Sequence, residues 1–600
     1  MKKIFRNIVM ASAAAGLAML MGACNTDPVY YSDVVPETFF TSEDAVWQRY
    51  SRPFTHWKWY MGNGGDILFD LQELSTDEIV LPTRNGDWYN GGLYQNFHHH
   101  KFDASYGIFY DGFYGSGMGV ALAWDAIRDL EQRVDFEKLG IPESTKELMI
   151  AQLNILVADL YKWGLDLYGG MPLYTKEDTE MKGRSTDVET FDFIEKLILD
   201  NIDKIPAKET LGAEETTYIH KAWAAMKLAQ LYFNAEAYTQ GKYKKYDECA
   251  KICQDIINGV YGKYALGTSF QQIFGYGNEF CPEVIYGIPS DCTFSGIDGM
   301  HYPRWFHYNT NQYLGGTAYD TWNGCAIAPS VAPDGRHYTE ADSKLGRVMD
   351  KFEDTDLRKQ PFTYEGDGKY TGMFLMGYQV SKSKRADKDG SWVCNGAREY
   401  QGSVIYLNDC IARFALDGGV KSWNENGEPV DKDGKVMDRS KINLPSDISK
   451  AEEASGYRLM KVCPPVDKGD YDNLRMRMPA MKVVCRLTEA YYMLAECKFR
   501  AGDKAGAADL INQVRKRYFV DGKDPNPVTA ANLDKYRLLD EWMIEFLGEN
   551  RRRTDLVRWD AFVTEAWWDH TPSNNKNFNR YPIGESSLAS NNLLEQNPGY

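Results

Sequence analysis

Cysteine is scarce, with 11 residues in a chain of 600 and no C-x-x-C pair anywhere. That excludes a dense disulfide scaffold and the paired-cysteine zinc modules, and leaves room for one or two bridges in an oxidising compartment. Cys249 and Cys253 stand four apart in a helical pattern, which fits two buried thiols on one face better than two metal ligands. Positive charge is also short. Lys and Arg number 68 against 85 Asp and Glu, a formal net charge of −17. No basic stripe is available to displace counterions from phosphate, so nucleic acid is excluded as a partner and a neutral or cationic ligand fits better. Catalytic fingerprints are missing too: there is no G-x-S-x-G, no P-loop and no H-E-x-x-H. Gly115-x-Gly117-x-Gly119 has no preceding strand of a βαβ unit and reads as a loop. His98-His99-His100 resembles a metal patch, but adjacent residues rarely face one ion, so no metal is expected and the run reads as a surface or hydrogen-bonding feature. No cofactor is expected.

Long apolar runs are confined to the start. Lys2, Lys3 and Arg6 precede a short apolar run from Ile8 to Met21 that has the pattern of a secretory signal. It ends in Met21-Gly22-Ala23-Cys24, which resembles a bacterial lipobox. Residues 1–23 therefore read as a lipoprotein signal peptide, Cys24 as the lipidated residue that holds the protein to a membrane, and residues 24–40, interrupted by Pro28 and Pro36, as a tether. Nothing later offers the roughly 18 uninterrupted apolar residues of a spanning helix.

The rest of the chain predicts a mainly α protein. The 3.6-residue period places Val120, Trp124, Ile127, Leu130 and Val134 on one face, and Leu148, Leu156, Leu160 and Trp163 on another. Residues 219–238 with 244–258, and 485–501 with 504–518, form helix pairs. The last pair, with Ala495, Ala507, Ala508 and a turn at Gly502, has the length and small-residue pattern of a tetratricopeptide hairpin. Residues 41–260 are expected as an N-terminal helical part, 261–470 as a loop-rich ligand-binding insertion, and 471–600 as a C-terminal helical part. The insertion is rich in turn residues such as Asp431-Lys432-Asp433-Gly434. Aromatics favour rings with a polar handle, 39 Tyr and 15 Trp beside 27 Phe. Such rings suit half-exposed surfaces that stack ligands, and equally the rim of a large core.

Several segments together resemble the SusD/RagB family. They are Arg486-x-x-Glu489, Ala495-Glu496, Gly502 and Ile511-Asn512-x-Val514-Arg515-x-Arg517, then Glu541, Glu545 and Gly548-Glu549. Arg551-Arg552-Arg553-Thr554-Asp555-Leu556-Val557-Arg558-Trp559 follows, and the chain closes on Tyr581-Pro582-Ile583 and Gln596-Asn597-Pro598-Gly599-Tyr600. Upstream, Leu167-Tyr168-Gly169-Gly170-Met171-Pro172-Leu173, Asn278 with Glu283-Val284-Ile285-Tyr286, and Asp356-Leu357-Arg358 fit the same pattern in order. Gln152 and Val157 depart from it, standing where the family often has Glu and Arg. Glu489, Glu496, Arg486, Arg515 and Arg517 read as ion-pairing residues within and between helices.

The resemblance implies a SusD-like, tetratricopeptide-bearing helical scaffold, lipid-anchored to the outer membrane and facing the exterior. It implies a protein that captures oligosaccharide without chemistry on it and covers a SusC-like, TonB-dependent transporter. A peptide-binding tetratricopeptide lipoprotein and a surface glycoside hydrolase are the competing readings. Sugars need an aromatic platform with hydrogen-bonding groups beside it. Asp77, Arg84, Asp87, Trp88 and Tyr89 supply these in one turn-rich stretch, and Trp305, Tyr313 and Trp322 form a second aromatic group, with Asn323-Gly324 marking an exposed turn beside Trp322. The competing structural reading has Asp77 capping a helix and pairing with Arg84, with Trp88 and Trp322 as buried anchors.

Overall fold

The computed structural model describes residues 39–63, 67–212, 218–290, 302–308, 322–366, 368–381, 392–393, 405–462 and 480–600. The principal helices are α1 (Glu43–Lys58), α2 (Ile67–Glu73), α3 (Gly107–Gln132), α4 (Glu143–Tyr168), α5 (Asp187–Asn201), α6 (Lys221–Phe233), α7 (Tyr246–Ile257), α8 (Leu487–Arg500), α9 (Lys504–Arg515), α10 (Lys535–Phe546) and α11 (Arg552–Arg558). Their starts are chemically marked. Thr186 and Glu189 close a reciprocal capping box on α5, and the side chains of Asp503 and Asp534 cap α9 and α10.

A continuous row of helices runs α3, α4, α5, α6, α7, α8, α9, each packed on the next. Because α7 and α8 are direct neighbours, everything between Ile257 and Leu487 is inserted between adjacent hairpins. The insertion is loop-rich, with short paired strands. Its β3 (Ala326–Ile327) pairs antiparallel with β1 (Ile79–Val80) from outside the insertion, and β2 (Val284–Ile288) pairs with β4 (Lys482–Arg486). The second pair ties the two ends of the insertion together at the foot of α8. One hydrophobic core extends from Val46 to Ile583. A smaller one, built from Cys410, Phe414, Val420, Trp423 and Ile442, supports the hairpin around 422–430.

On the first expected face Val120, Trp124, Ile127 and Leu130 are buried, with Val134 half-buried past the end of α3; on the second, Leu156 and Leu160 are buried and Leu148 and Trp163 half-buried. Ala495, Ala507 and Ala508 sit at the contact of α8 with α9, and Gly502 turns the chain between them at φ 88°. Cys249 and Cys253 are buried thiols 3.9 Å apart. Where a Glu–Arg pair was missing, Gln152 instead accepts from the Tyr50 hydroxyl (2.6 Å) and donates to the Ile219 carbonyl (2.9 Å), while Val157 is fully buried.

Two expectations are corrected. Gly115, Gly117 and Gly119 lie inside α3 rather than in a loop. Glycine is used there for contact: a Cβ on Gly115 would fall 2.5 Å from the Tyr60 ring. Of the two roles expected for the histidine run, surface is excluded for His98 and His100, which are buried, and hydrogen bonding holds, through Nε2 to the Trp568 and Ser75 carbonyls. Among the described residues no helix is long and apolar enough to cross a membrane.

The charged motif residues form buried ion pairs that fasten the insertion to the helices. Arg486 donates to Glu545 (2.7 Å), Glu549 (2.8 Å) and Glu283 (3.2 Å), and Arg517 bridges Glu283 and Glu545. Arg358 joins from the other side through Asp356 and Glu545. Burial pushes the Glu545 carboxyl up, and Arg517, Arg486 and Arg358 outweigh it, holding the group at about 2. Glu496 is gripped by Arg558, Glu489 by Arg551, and Arg515 by Glu541.

Candidate functional site

The segment that leaves α2 enters the core before it reaches the surface. Asp77 is fully buried; its carboxylate accepts from Arg552 Nε (2.7 Å) and Nη2 (2.8 Å) and from the Gly346 amide (2.9 Å). Burial raises its pKa, and the Arg552 guanidinium more than reverses this, leaving it below the usual carboxylate range. Arg84 is 1% exposed. Its guanidinium donates to the carbonyls of Gly324 (3.0 Å), Glu452 (2.7 Å) and Ser455 (2.9 Å). Asp77 and Arg84 are therefore not ligand contacts, and they are not partners of each other. Both lock distant loops, because a buried charge at this depth is tolerated only when every polar atom is satisfied.

Past Arg84 the chain reverses. The Arg84 and Asp87 backbones bond each other at 2.8 and 2.9 Å, and Asn85 and Gly86 take positive φ. This turn carries Asn85 to Asn90 to the surface. Trp88 is half-buried at φ 64°, a conformation that costs a bulky residue on the order of 1–3 kcal/mol and persists only where the surroundings enforce it. Three contacts do so. Its Nε1 donates to the Trp322 carbonyl (3.1 Å), its ring meets Tyr94 edge-on at 6.1 Å, and the Arg304 guanidinium lies 5.9 Å from its centroid. Arg304 is in turn fixed by a two-pronged pair with Asp70 at 2.6 and 3.1 Å. Gly324 is needed beneath the indole, since a Cβ there would sit 3.0 Å from the Trp88 ring.

Loops 304–308 and 322–324 complete the patch. The Asn323 amide donates to the Phe306 carbonyl and the Gly324 amide to the Arg304 carbonyl, so the loops run together. Tyr308 donates its hydroxyl to Asp87 (2.8 Å). Asp87, Trp88, Tyr89, Tyr308 and Trp322 thus share one region of the surface, with Tyr89 53% exposed and Trp322 half-buried. Sequence reasoning missed Tyr308 and Arg304, and named Gly324 only as part of a turn; the aromatic spacing around Tyr308 was the signal available to find it.

Other expected positions fall elsewhere. Trp305 is buried edge-on against Phe69, and faces an interior cavity of about 140 Å³ rather than the surface. Asn323 does take the positive φ of a turn, 51°, but it is fully buried, bonding the Glu453 carbonyl and Arg458. The turn is covered, not exposed. Cys24 and Tyr313 lie outside the described residues.

The patch offers flat rings, phenol hydroxyls and a carboxylate acceptor. Among the described residues of loops 84–92, 304–308 and 322–324, that carboxylate is Asp87.

The model of the SusD family matches residues 282–600, more than half of the chain. The chain belongs to the SusD family. The SusD-family fold is evident in solved structures as well. NanU of Bacteroides fragilis superposes with a TM-score of 0.62 at 15% identity, covering 95% of this chain and 100% of that one. A surface glycan-binding protein A of Bacteroides thetaiotaomicron, solved with laminarihexaose, gives 0.61 at 15% identity over 93% of this chain and 100% of that one. In sequence, the starch-binding protein SusD of Bacteroides thetaiotaomicron is 38% identical over 122 residues. That match spans 19% of this chain and 21% of the relative, about a fifth of each.

Proposed function

We propose that this SusD-family chain is a non-catalytic glycan-binding protein of the bacterial cell surface. Oligosaccharide is held against Trp88, Tyr89 and Trp322, with Asp87 and Tyr308 sharing hydrogen bonds with its hydroxyls. Bound glycan passes to a SusC-like, TonB-dependent outer-membrane transporter. The protein is exported by residues 1–23 and anchored through lipid on Cys24. The observation that supports this best is the cluster of half-exposed rings beside the Asp87 carboxylate. A pyranose presents weakly apolar C–H faces that stack on such rings and a rim of hydroxyls that need mixed donors and acceptors. The relatives named for starch binding or solved with laminarihexaose point to the same ligand class.

A calorimetric screen of polysaccharides with protein starting after Cys24, paired with product analysis after long incubation, tests the proposal. Saturable binding of at least one glycan, recovered uncut, is expected. Binding of peptides alone, or release of shorter sugars, would overturn it.

A further inference from the structure

The cavity of about 140 Å³ that Trp305 faces is walled also by Lys162 and Trp163 of α4, Lys227 and Gln230 of α6, Lys482 of β4 and Arg551 ahead of α11. Two carboxylates in its wall are already engaged, Glu489 by Arg551 and Gln230, and Glu549 by Lys461 and Arg486. The Asp159 carboxylate, itself fully buried, has one oxygen on the Trp57 indole (2.9 Å). The other oxygen lies 2.9 Å from Lys227 Nζ and 3.8 Å from Lys162 Nζ. Two ammonium groups with side chains 2% and 5% exposed thus share one carboxylate, and Lys227 holds the close position.

Lys162 is left with little. Its Nζ makes no hydrogen bond among the described residues, and its nearest other partner is the Trp163 ring, 3.8 Å to the centroid. Across the same cavity, Gln230 donates through Nε2 to both oxygens of Glu489 at 3.0 Å, which fixes the orientation of its amide. Its Oε1 is buried with no partner, and so is the Trp163 Nε1 donor. Buried polar atoms without partners are rare and costly, and a buried cation that shares its carboxylate with a second cation is only partly compensated.

We propose that this cavity is a binding site for a small carboxylate anion, held by the Lys162 ammonium. The carboxylate supplies Lys162 with a close counter-charge, since the near oxygen of Asp159 is held by Lys227 at 2.9 Å and stands 3.8 Å from Lys162. It also accepts the hydrogen bonds that Lys162 has no partner for, and a hydroxyl or water carried with it donates to Gln230 Oε1. Burial, and then Lys227, lower Lys162 to about 8, so at neutral pH the lysine still carries its charge and favours an anion.

Calorimetric titration of the wild-type protein with acetate and with glycolate at pH 7, against sodium chloride of equal ionic strength, tests this directly. One site per chain is expected, with a saturable rise in the unfolding midpoint that chloride does not reproduce. Lys162→Met, which keeps the stem and the Lys227–Asp159 pair, is expected to weaken binding at least about tenfold, since a single charge-assisted contact of roughly 1.4 kcal/mol or more is lost. Lys162→Gln serves as a second variant should the first fail to fold. No one-to-one uptake by the wild type, or undiminished uptake by a folded Lys162 variant, would overturn the proposal.

Discussion

The indole Nε1 of Trp88 donates to the backbone carbonyl of Trp322 at 3.1 Å, joining two loops 234 positions apart in the chain. The contact uses the polar edge of one ring and the backbone of the other, so it sets position without spending either ring face. It explains how a strained residue, Trp88 at φ 64°, is held where the surface needs a flat group.

Among the described residues, Tyr89 is the most exposed of the expected aromatics, at 53%. Tyr89→Ala is expected to leave the urea midpoint within the range of ordinary surface changes, about 0.5 kcal/mol. Glycan affinity is expected to fall about tenfold, because an aromatic contact of roughly 1.4 kcal/mol is removed. Calorimetry and urea unfolding on the same variant check both halves.

Gly324→Ala places a methyl group 3.0 Å from the Trp88 ring. The ring must give by a few tenths of an ångström, so weaker glycan binding with a stability loss of about 1–3 kcal/mol is expected from overpacking. Parallel thermal melts and titrations measure it.

Asp77 and Arg552 form a fully buried pair. Removing one partner strands the other charge, so Asp77→Ala or Arg552→Ala is expected to destabilise the fold by about 3–5 kcal/mol. Guanidinium unfolding of the folded fraction provides the measurement, and a loss under 1 kcal/mol would contradict the assignment.

His98, His100 and His570 are packed together, with His100 and His570 ring centres 4.3 Å apart. Burial, then His570, holds the His98 and His100 imidazoles well below their ordinary value of 6.5; burial lowers His570 to about 4. The folded state therefore binds fewer protons than the unfolded chain. Their contribution to stability is fully present above about 6.5 and is lost as the pH falls through each folded value, about 4 for His570 and well below 6.5 for His98 and His100, with a slope of at most about 1.4 kcal/mol per pH unit for each group. Histidine NMR titration is expected to find all three neutral at pH 5.5; ordinary titration near 6.5 would contradict this.

Much of the scaffold was legible because periodicity and small residues report packing directly: Val120 to Leu130 and Ala495 to Ala508 are buried where their spacing put them. The ion-pairing residues were legible through a resemblance in order and type, and Glu489, Glu496, Arg486, Arg515 and Arg517 do pair. The ligand loops were less so. Asp77 and Arg84 have the chemistry of a sugar site, yet their partners, Arg552 and the 452–455 carbonyls, lie hundreds of positions away and leave no local trace. Gly115 looked like a loop residue because a helix contact with Tyr60 cannot be read from composition. Asn323 was correctly placed in a turn, but sequence does not say which turns are covered.

The central claim is that the paired rings of the two loops hold carbohydrate, and Trp322 is its sharpest test, because its backbone carbonyl, not its side chain, positions Trp88. Calorimetric titration of Trp322→Ala with a glycan bound by the wild type is expected to show at least about a 30-fold loss, roughly 2 kcal/mol, with an unchanged circular dichroism spectrum. Wild-type affinity in that folded variant would contradict the account.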